Sequence, residues 1–458
     1  MNVGRIRSEF PALSKATGER PPAYLDSACM SLVPRPVLDA MTEYYRDYPG
    51  CAGRSLHRFA VEVGRRFEES REAFARFLGR SDPRATVFVR NATEAINLVG
   101  EGLSWRRGDR VLISDREHNS NLVVWQRLVR ERGIRLEILR LPDDGSFDGE
   151  ELDRHLARGV RLVSLFHTSN LDGRSLPVRE ITERGHDAGA LVLFDGCQAA
   201  PHAKVDLDRV GVDFYAVSAH KMLGPTGTGV LSAAPHALDT LRPLLVGGET
   251  VVRSDLTSHE LREAPYRFEA GLQNYAGAIG AKAALDYLGR VGFDAVRAQE
   301  LRLNRRVTTA FADERRLELL GPRDPAARPS IFAFTLEGID PADAALFLDE
   351  GHGVMVRSGM HCVHSFYAER GLSGSVRASF YLYNDTTDAD RLVAGLVELL
   401  ERVPARSVSG TSAARTVSSA RRATVRSRAA GSKGAAARSA RPPRTAGPGR
   451  AASATGSG

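Results

Sequence analysis

Short apolar runs that break abruptly into polar residues recur along the first half of the chain, separated by longer stretches with helical spacing. Thr86–Val89, Arg110–Ile113, Leu162–Phe166, Ala190–Phe194 and the run from Phe214 each read as a strand. Val37–Tyr48 and Val61–Leu78 read as helices, and Ile96 and Val99 continue a helical spacing after Asn91–Glu94. Strands of this kind, each ending in side chains that carry chemistry, describe one edge of a parallel sheet, where open α/β folds bind ligands. A long helix over Tyr275–Leu288 leads out of this part. Ser330–Leu336, Pro341–Glu350 and Val354–Val356 then restart a strand–helix–strand alternation, and Ser375–Tyr383 is a further apolar strand. The last helix has Thr387 and Asp390 as a capping pair and Leu392, Leu396, Leu399 and Leu400 on its apolar face. The expected division is an N-terminal segment, 1–24, packing with the small domain; a large domain, 25–288; a small domain, 289–404; and a tail, 405–458.

The strand ends gather the candidate chemistry. Phe214 onward runs into Ser218, His220 and Lys221 and a Gly/Pro loop. A lysine at the end of a buried strand loses hydration, and its neutral amine is a nucleophile toward a carbonyl, which is Schiff-base chemistry. Asp195 and Gln198 close the second run, and His167 to Asn170 close the third. A carboxylate facing a ring nitrogen and a lysine holding an aldehyde is how pyridoxal phosphate (PLP) is carried. Its phosphate would sit on the helix N-terminus after Asn91, beside Thr93, with Ser218 and His220 as further donors. His118 lies just past another strand end and is read evenly as a ring-stacking, proton-moving imidazole or as a surface histidine.

In the second part, Cys362 sits in a polar loop with Arg357, His361 and His364. A buried inert thiol, a metal ligand and a nucleophile are the rival readings, and the missing fourth ligand weakens the metal one. Arg377, inside an apolar strand, either meets an anion such as a carboxylate or faces solvent from an edge strand; by itself the second is favoured.

Charge needs dividing. The chain has 458 residues and a formal net charge of +7, but its last 54 residues hold ten Arg, one Lys and no acid, which leaves residues 1–404 at −4. That Ala-, Ser-, Gly- and Arg-rich tail lacks the apolar residues to form a core and reads as disordered. A weak, nonspecific contact with nucleic acid through its arginines is the functional reading; a dispensable solvated extension is the alternative. No apolar run approaches membrane-spanning length and the first residues lack the apolar centre of a signal peptide, so a cytosolic protein with no membrane partner is expected. Cys29, Cys51, Cys197 and Cys362 are widely spaced with no CxxC, which argues for free thiols.

In this order, YLDSA, VRNATEAINLV, EHNSN, HTSNLDG, FDGCQA, SAHKMLGPTGTG, RFEAG, RSGMHC and VRASFYLYN resemble the class V, fold-type I PLP enzymes. The closest likeness is to the Suf-type cysteine desulfurases, with selenocysteine lyases as near relatives, and the short loop around Cys362 fits the Suf-type subgroup. The resemblance implies a large, mainly parallel sheet domain, a smaller α/β domain and a homodimer with active sites near its interface. It implies L-cysteine as substrate and a sulfur-acceptor protein, a Suf-type acceptor or scaffold, as partner. It implies Lys221 attached to PLP, Asp195 at the pyridine nitrogen, Gln198 at the ring hydroxyl and His118 stacked on the ring. Thr93, Ser218 and His220 would bind phosphate, and Ala28, Asn170 and Arg377 would meet the substrate. Cys362 would take the substrate sulfur as a persulfide and release alanine, and Lys221 would shuttle protons. A class V lyase or transaminase is the enzymatic alternative, and a non-catalytic scaffold with an RNA-binding tail the non-enzymatic one. Three positions depart from the pattern: Leu272 where a threonine would reach the partner subunit's phosphate, Asn119 for a second histidine, and Gly53 for the first histidine of the loop before His57. Cys29, at the mouth of the expected site, is a second accessible thiol.

Overall fold

Alternate residues of the central strands enter two different apolar clusters. Leu112, Val163, Val192, Phe194, Tyr215 and Val217 belong to one, and Val111, Ile113, Leu162, Leu193, Phe214 and Ala216 to the other. A pleated strand sends successive side chains to opposite faces, so a continuous apolar run means a sheet buried on both. The computed structural model, which describes residues 1–14 and 21–403, has that sheet. Its seven strands lie in the order Thr86–Val89, Gly229–Ala233, Phe214–Ser218, Leu191–Asp195, Val160–Phe166, Arg110–Ser114, Arg135–Leu139. From Phe214–Ser218 to Arg135–Leu139 every neighbour is parallel, while Gly229–Ala233 runs against both of its neighbours. The Thr86–Val89 strand therefore points the same way as the parallel five, and the carboxyl ends expected to carry the site share one edge.

Local chemistry shapes that edge. Asn91 caps the Ala92–Gly102 helix, its Oδ1 accepting from Glu94 N at 3.1 Å. Directly after Asp195, a side chain at Gly196 would put its Cβ 2.0 Å from the Tyr215 ring. Only glycine fits there, and the Tyr215 hydroxyl thereby reaches His167 Nδ1 at 2.7 Å.

A second sheet of four strands, Leu317–Leu319, Ile331–Leu336, Ser375–Ser379 and Arg357–Gly359 in that order, is antiparallel throughout. The helices Phe293–Ala310, Pro341–His352 and Thr386–Arg402 give it an apolar cluster of its own, with Leu303, Val307, Leu348, Leu392 and Leu396. The short strand Ala23–Tyr24 pairs with Val354–Met355. Arg7 binds Asp388 at 2.6 Å and the Tyr383 carbonyl at 2.7 Å, and Phe10 packs its ring edge-on against Tyr287 and Tyr383.

Two expectations need correcting. The last strand stops at Ser379 rather than Tyr383, because Tyr381 N turns to the Asn384 side chain. The last helix is capped by Asp385 and Asp388 in a reciprocal box, not by Thr387 and Asp390. Both pairs have the same spacing, and Asp388 is fixed by Arg7 and Asn384, so tertiary partners settle the register. No helix among the described residues is long and apolar enough to cross a membrane. The tail, with the disorder and nucleic-acid contact expected of it, lies outside the described residues.

Candidate active site

The strand ends and the second sheet enclose a cavity of about 190 Å³. Thr93, His118, Asn170, Asp195, Ser218, His220, Lys221, Cys362, Arg377 and Ala28, all expected from sequence, line it. Gln198 stands behind the wall, its amide donating to the Ala28 carbonyl at 2.6 Å. The sequence marks Asn91 only as the residue before the phosphate-binding helix and Arg357 and His361 only as neighbours of Cys362, and it gives no sign of Ser120 or Cys197 as site residues.

Among the described residues Lys221 Nζ makes no hydrogen bond or ion pair, so its amine is available inside the cavity. Burial, and then the Lys221 charge, push His118 and His220 each down to about 4. Both rings are neutral at physiological pH. His118 Nδ1 lies 3.1 Å from Ser120 N, which donates to it, and 3.0 Å from Ser120 Oγ. Nδ1 is the acceptor, so the proton of the neutral ring sits on Nε2. Ser120 Oγ continues to Thr93 Oγ1 at 2.7 Å.

Glu117, directly before His118, is 1 % exposed. It is bound by Ser114 Oγ at 2.6 Å, Asn121 Nδ2 at 2.8 Å and Phe166 N at 3.2 Å. Burial pushes its carboxyl up to about 8 despite these three donors. Asn121 also receives Trp125 Nε1, and this frame fixes the turn that carries His118. The signal in the sequence was a carboxylate immediately before the candidate imidazole.

Arg377 and Arg357 face each other as partners across the antiparallel strands, and both line the cavity. Like charges in register repel, and an anion between them relieves the repulsion. Arg377 is 1 % exposed, so the solvent-facing reading of it is wrong. It donates to the Asn170 carbonyl at 2.7 Å and to Asp26 at 3.2 Å, while its Nε has no hydrogen-bond partner among the described residues. Arg357 donates to Cys29 Sγ at 2.8 Å.

Cys362 and His361 lie in the left-handed region, with φ of 60° and 47°. Non-glycine residues there are strained and persist only where surroundings hold them. Asn119 N binds the Cys362 carbonyl at 2.7 Å, and Asn170 Nδ2 binds the His361 carbonyl at 2.8 Å. Among the described residues there is no group of metal-ligating side chains.

The cavity fits PLP on its own chemistry. The Ala92–Gly102 helix, which opens on Asn91, Ala92 and Thr93 in the wall, offers an N-terminus to a phosphate. Asp195 offers a carboxylate and Lys221 an amine.

His361 gives a test of this electrostatic frame. Burial and the two guanidiniums push it down to about 2, from an ordinary 6.5. An imidazole so depressed stabilises the fold above pH 6.5, and that contribution is lost as pH falls below it, by up to about 1.4 kcal/mol per unit. The urea midpoint of His361→Gln, which does not titrate, is expected to change less between pH 7 and pH 5 than that of the wild type. Equal changes in the two would refute the assignment.

The sequence profile described as Aminotransferase class-V matches residues 23–392. The chain belongs to that family. Among relatives of this class V protein, the cysteine desulfurase of Enterobacter sp. (strain 638) is 39 % identical over 400 residues, covering 86 % of this chain and 97 % of that one. Of solved structures, the apo cysteine desulfurase of Thermococcus onnurineus NA1 matches with TM-score 0.83 and 35 % identity, over 87 % of this chain and 98 % of that one. The cysteine desulfurase CsdA of Escherichia coli matches with TM-score 0.81 and 31 % identity, over 88 % and 100 %. The mainly parallel seven-stranded sheet with a smaller second sheet is thus the fold-type I arrangement expected from the motifs.

Proposed function

We propose that this chain is a PLP-dependent cysteine desulfurase, which converts L-cysteine to L-alanine and keeps the sulfur as a persulfide on Cys362. The observation that carries the reading is that Lys221, Asp195, Cys362 and the opposed pair Arg357 and Arg377 line one cavity in a chain 39 % identical to a cysteine desulfurase. PLP, when bound, supplies the sink for the electrons released as the carbon–sulfur bond breaks.

The chain's own residues do the rest. Lys221 holds the cofactor and moves the proton at the substrate Cα. Asp195 would meet the ring nitrogen, His118, with its proton on Nε2, would serve the ring face, and Gln198 would serve the ring hydroxyl by releasing the Ala28 carbonyl that its amide holds. Thr93, Ser218 and His220 take the phosphate. Arg377, with Ala28 and Asn170, takes the substrate carboxylate, which sets the sulfur toward Cys362.

Incubation with L-cysteine and a reductant tests the reaction: alanine and sulfide should appear in equal amounts. Aminated cofactor with 3-mercaptopyruvate instead would mean a transaminase, and pyruvate with ammonia and sulfide a β-eliminating lyase. Arg377→Lys keeps the charge but loses the planar fork, and it is expected to raise KM for L-cysteine by about 10- to 100-fold, the scale of one charge-assisted hydrogen bond. An unchanged KM would remove Arg377 from carboxylate binding.

The sulfur leaves to an acceptor protein for iron–sulfur cluster or thio-cofactor assembly, and the enzyme works as a homodimer. Support for the dimer comes from exposed apolar residues gathered over 244–272, among them Leu245, Val252, Leu256 and Leu272. Leu272, 69 % exposed, lies in this stretch where the family pattern has a threonine.

A further inference from the structure

The four cysteines fall into two kinds. Cys197 is buried under Ser218 Oγ, its thiol pushed up to about 12 by burial, and Cys51 lies apart from the cavity beside Ala52. Cys29 and Cys362 are both partly exposed, and both line the cavity.

Each of these two sulfurs is carried on backbone that is tied down. Cys29 closes a turn, its N–H donating to the Asp26 carbonyl at 3.0 Å, and Asp26 is held by Arg377 at 3.2 Å. Arg377 continues to the Asn170 carbonyl, and the Asn170 amide holds the His361 carbonyl next to Cys362. One chain of contacts thus links the two cysteine-bearing turns. Arg357, a pure donor, points a guanidinium hydrogen at Cys29 Sγ at 2.8 Å, so this sulfur is the acceptor and faces a full positive charge. Arg377 and His361 line the same wall, are 1 % and 3 % exposed, and among the described residues Arg377 Nε and His361 Nδ1 have no hydrogen-bond partner.

We propose that Cys29 is a second sulfur-carrying residue, which takes the outer sulfur of the Cys362 persulfide before it leaves the enzyme. This rests on the desulfurase reading. The Cys29 thiolate attacks the terminal sulfur of Cys362–S–SH. A bond forms from Cys29 Sγ to that sulfur, the Cys362 Sγ–S bond breaks, and its electron pair leaves on Cys362 as thiolate. The proton stays on the transferred sulfur. One thiolate and one persulfide are consumed and one of each is formed, so no oxidant or reductant is needed. Exchange between like thiols is close to balanced, and the guanidinium of Arg357 meets the negative charge on the Cys29 side. Cys362 is left free for a second substrate while the first sulfur waits on Cys29.

The test uses full-length holoenzyme, mixed with L-cysteine without reductant and alkylated while native, so that exchange during unfolding is prevented. Peptide masses then locate the added sulfur in wild type, Cys29→Ser and Cys362→Ser. Expected are comparable amounts of added sulfur on Cys29 and Cys362 in the wild type, sulfur on Cys362 alone in Cys29→Ser, and none on either position in Cys362→Ser. Sulfur confined to Cys362 in the wild type overturns the relay and leaves the desulfurase reading intact. Sulfur on Cys29 in Cys362→Ser also overturns it, since the residue would then load without Cys362. Sulfur on neither in the wild type removes the desulfurase reading and the relay with it.

Discussion

Cys362→Ser is expected to keep the fold and the bound cofactor's absorbance while sulfur transfer from L-cysteine falls by about three orders of magnitude or more, the scale for losing a nucleophile. Serine is the demanding substitution, because it has nearly the same size and no more branching. The left-handed backbone at φ 60° therefore costs about the same, and the contacts of the Cys362 and His361 carbonyls are made by backbone that is unchanged. A large loss of stability has no named cause there. What changes is the atom: a hydroxyl is a far poorer acceptor of a sulfur than a thiol is. Intact mass after L-cysteine should show added sulfur in the wild type and none in the variant. If the variant accumulates a persulfide on another residue at the wild-type rate, Cys362 is not the first acceptor.

The second large effect belongs to Lys221. Lys221→Ala is expected to lose covalent attachment of PLP and to lower turnover by about four orders of magnitude, since one amine both anchors the cofactor and moves the proton at Cα. Borohydride trapping followed by peptide mapping should place the cofactor on residue 221 in the wild type and nowhere in the variant. The fold should survive, because the amine makes no hydrogen bond or ion pair among the described residues. A variant that retains trapped cofactor on another lysine would refute the assignment.

The sheet edge was legible because its strands are buried on both faces. Their apolar runs are continuous, and the point where each becomes polar is where the chain leaves the core at Ser218, Asp195, Phe166 and Ser114. Arg377 was not legible in the same way. Its anion, Asp26, lies 351 residues away in sequence, so a local reading can only weigh an apolar strand against a charge. The facing of Arg357 and Arg377 required the antiparallel register, which alternating strands and helices do not reveal. The cap at Asp385 was hidden among several acids and threonines with equivalent spacing. Glu117 was readable as a residue, but its burial depended on Asn121 and Ser114 closing around it. The contact of Arg357 with Cys29 spans 328 residues and had no local signature.

The turn at Cys362 is short, strained and bound on both sides, by Asn119 and by Asn170. A residue carried this way cannot travel with its cargo. If the sulfur goes to an acceptor protein as proposed, that acceptor would have to bring a reactive side chain on a protrusion slim enough for the cavity, and the rim, rather than the thiol, would do the choosing. Delivery to such an acceptor would then be second order, limited by the encounter of two surfaces and sensitive to salt, where a swinging arm would be limited by its own motion.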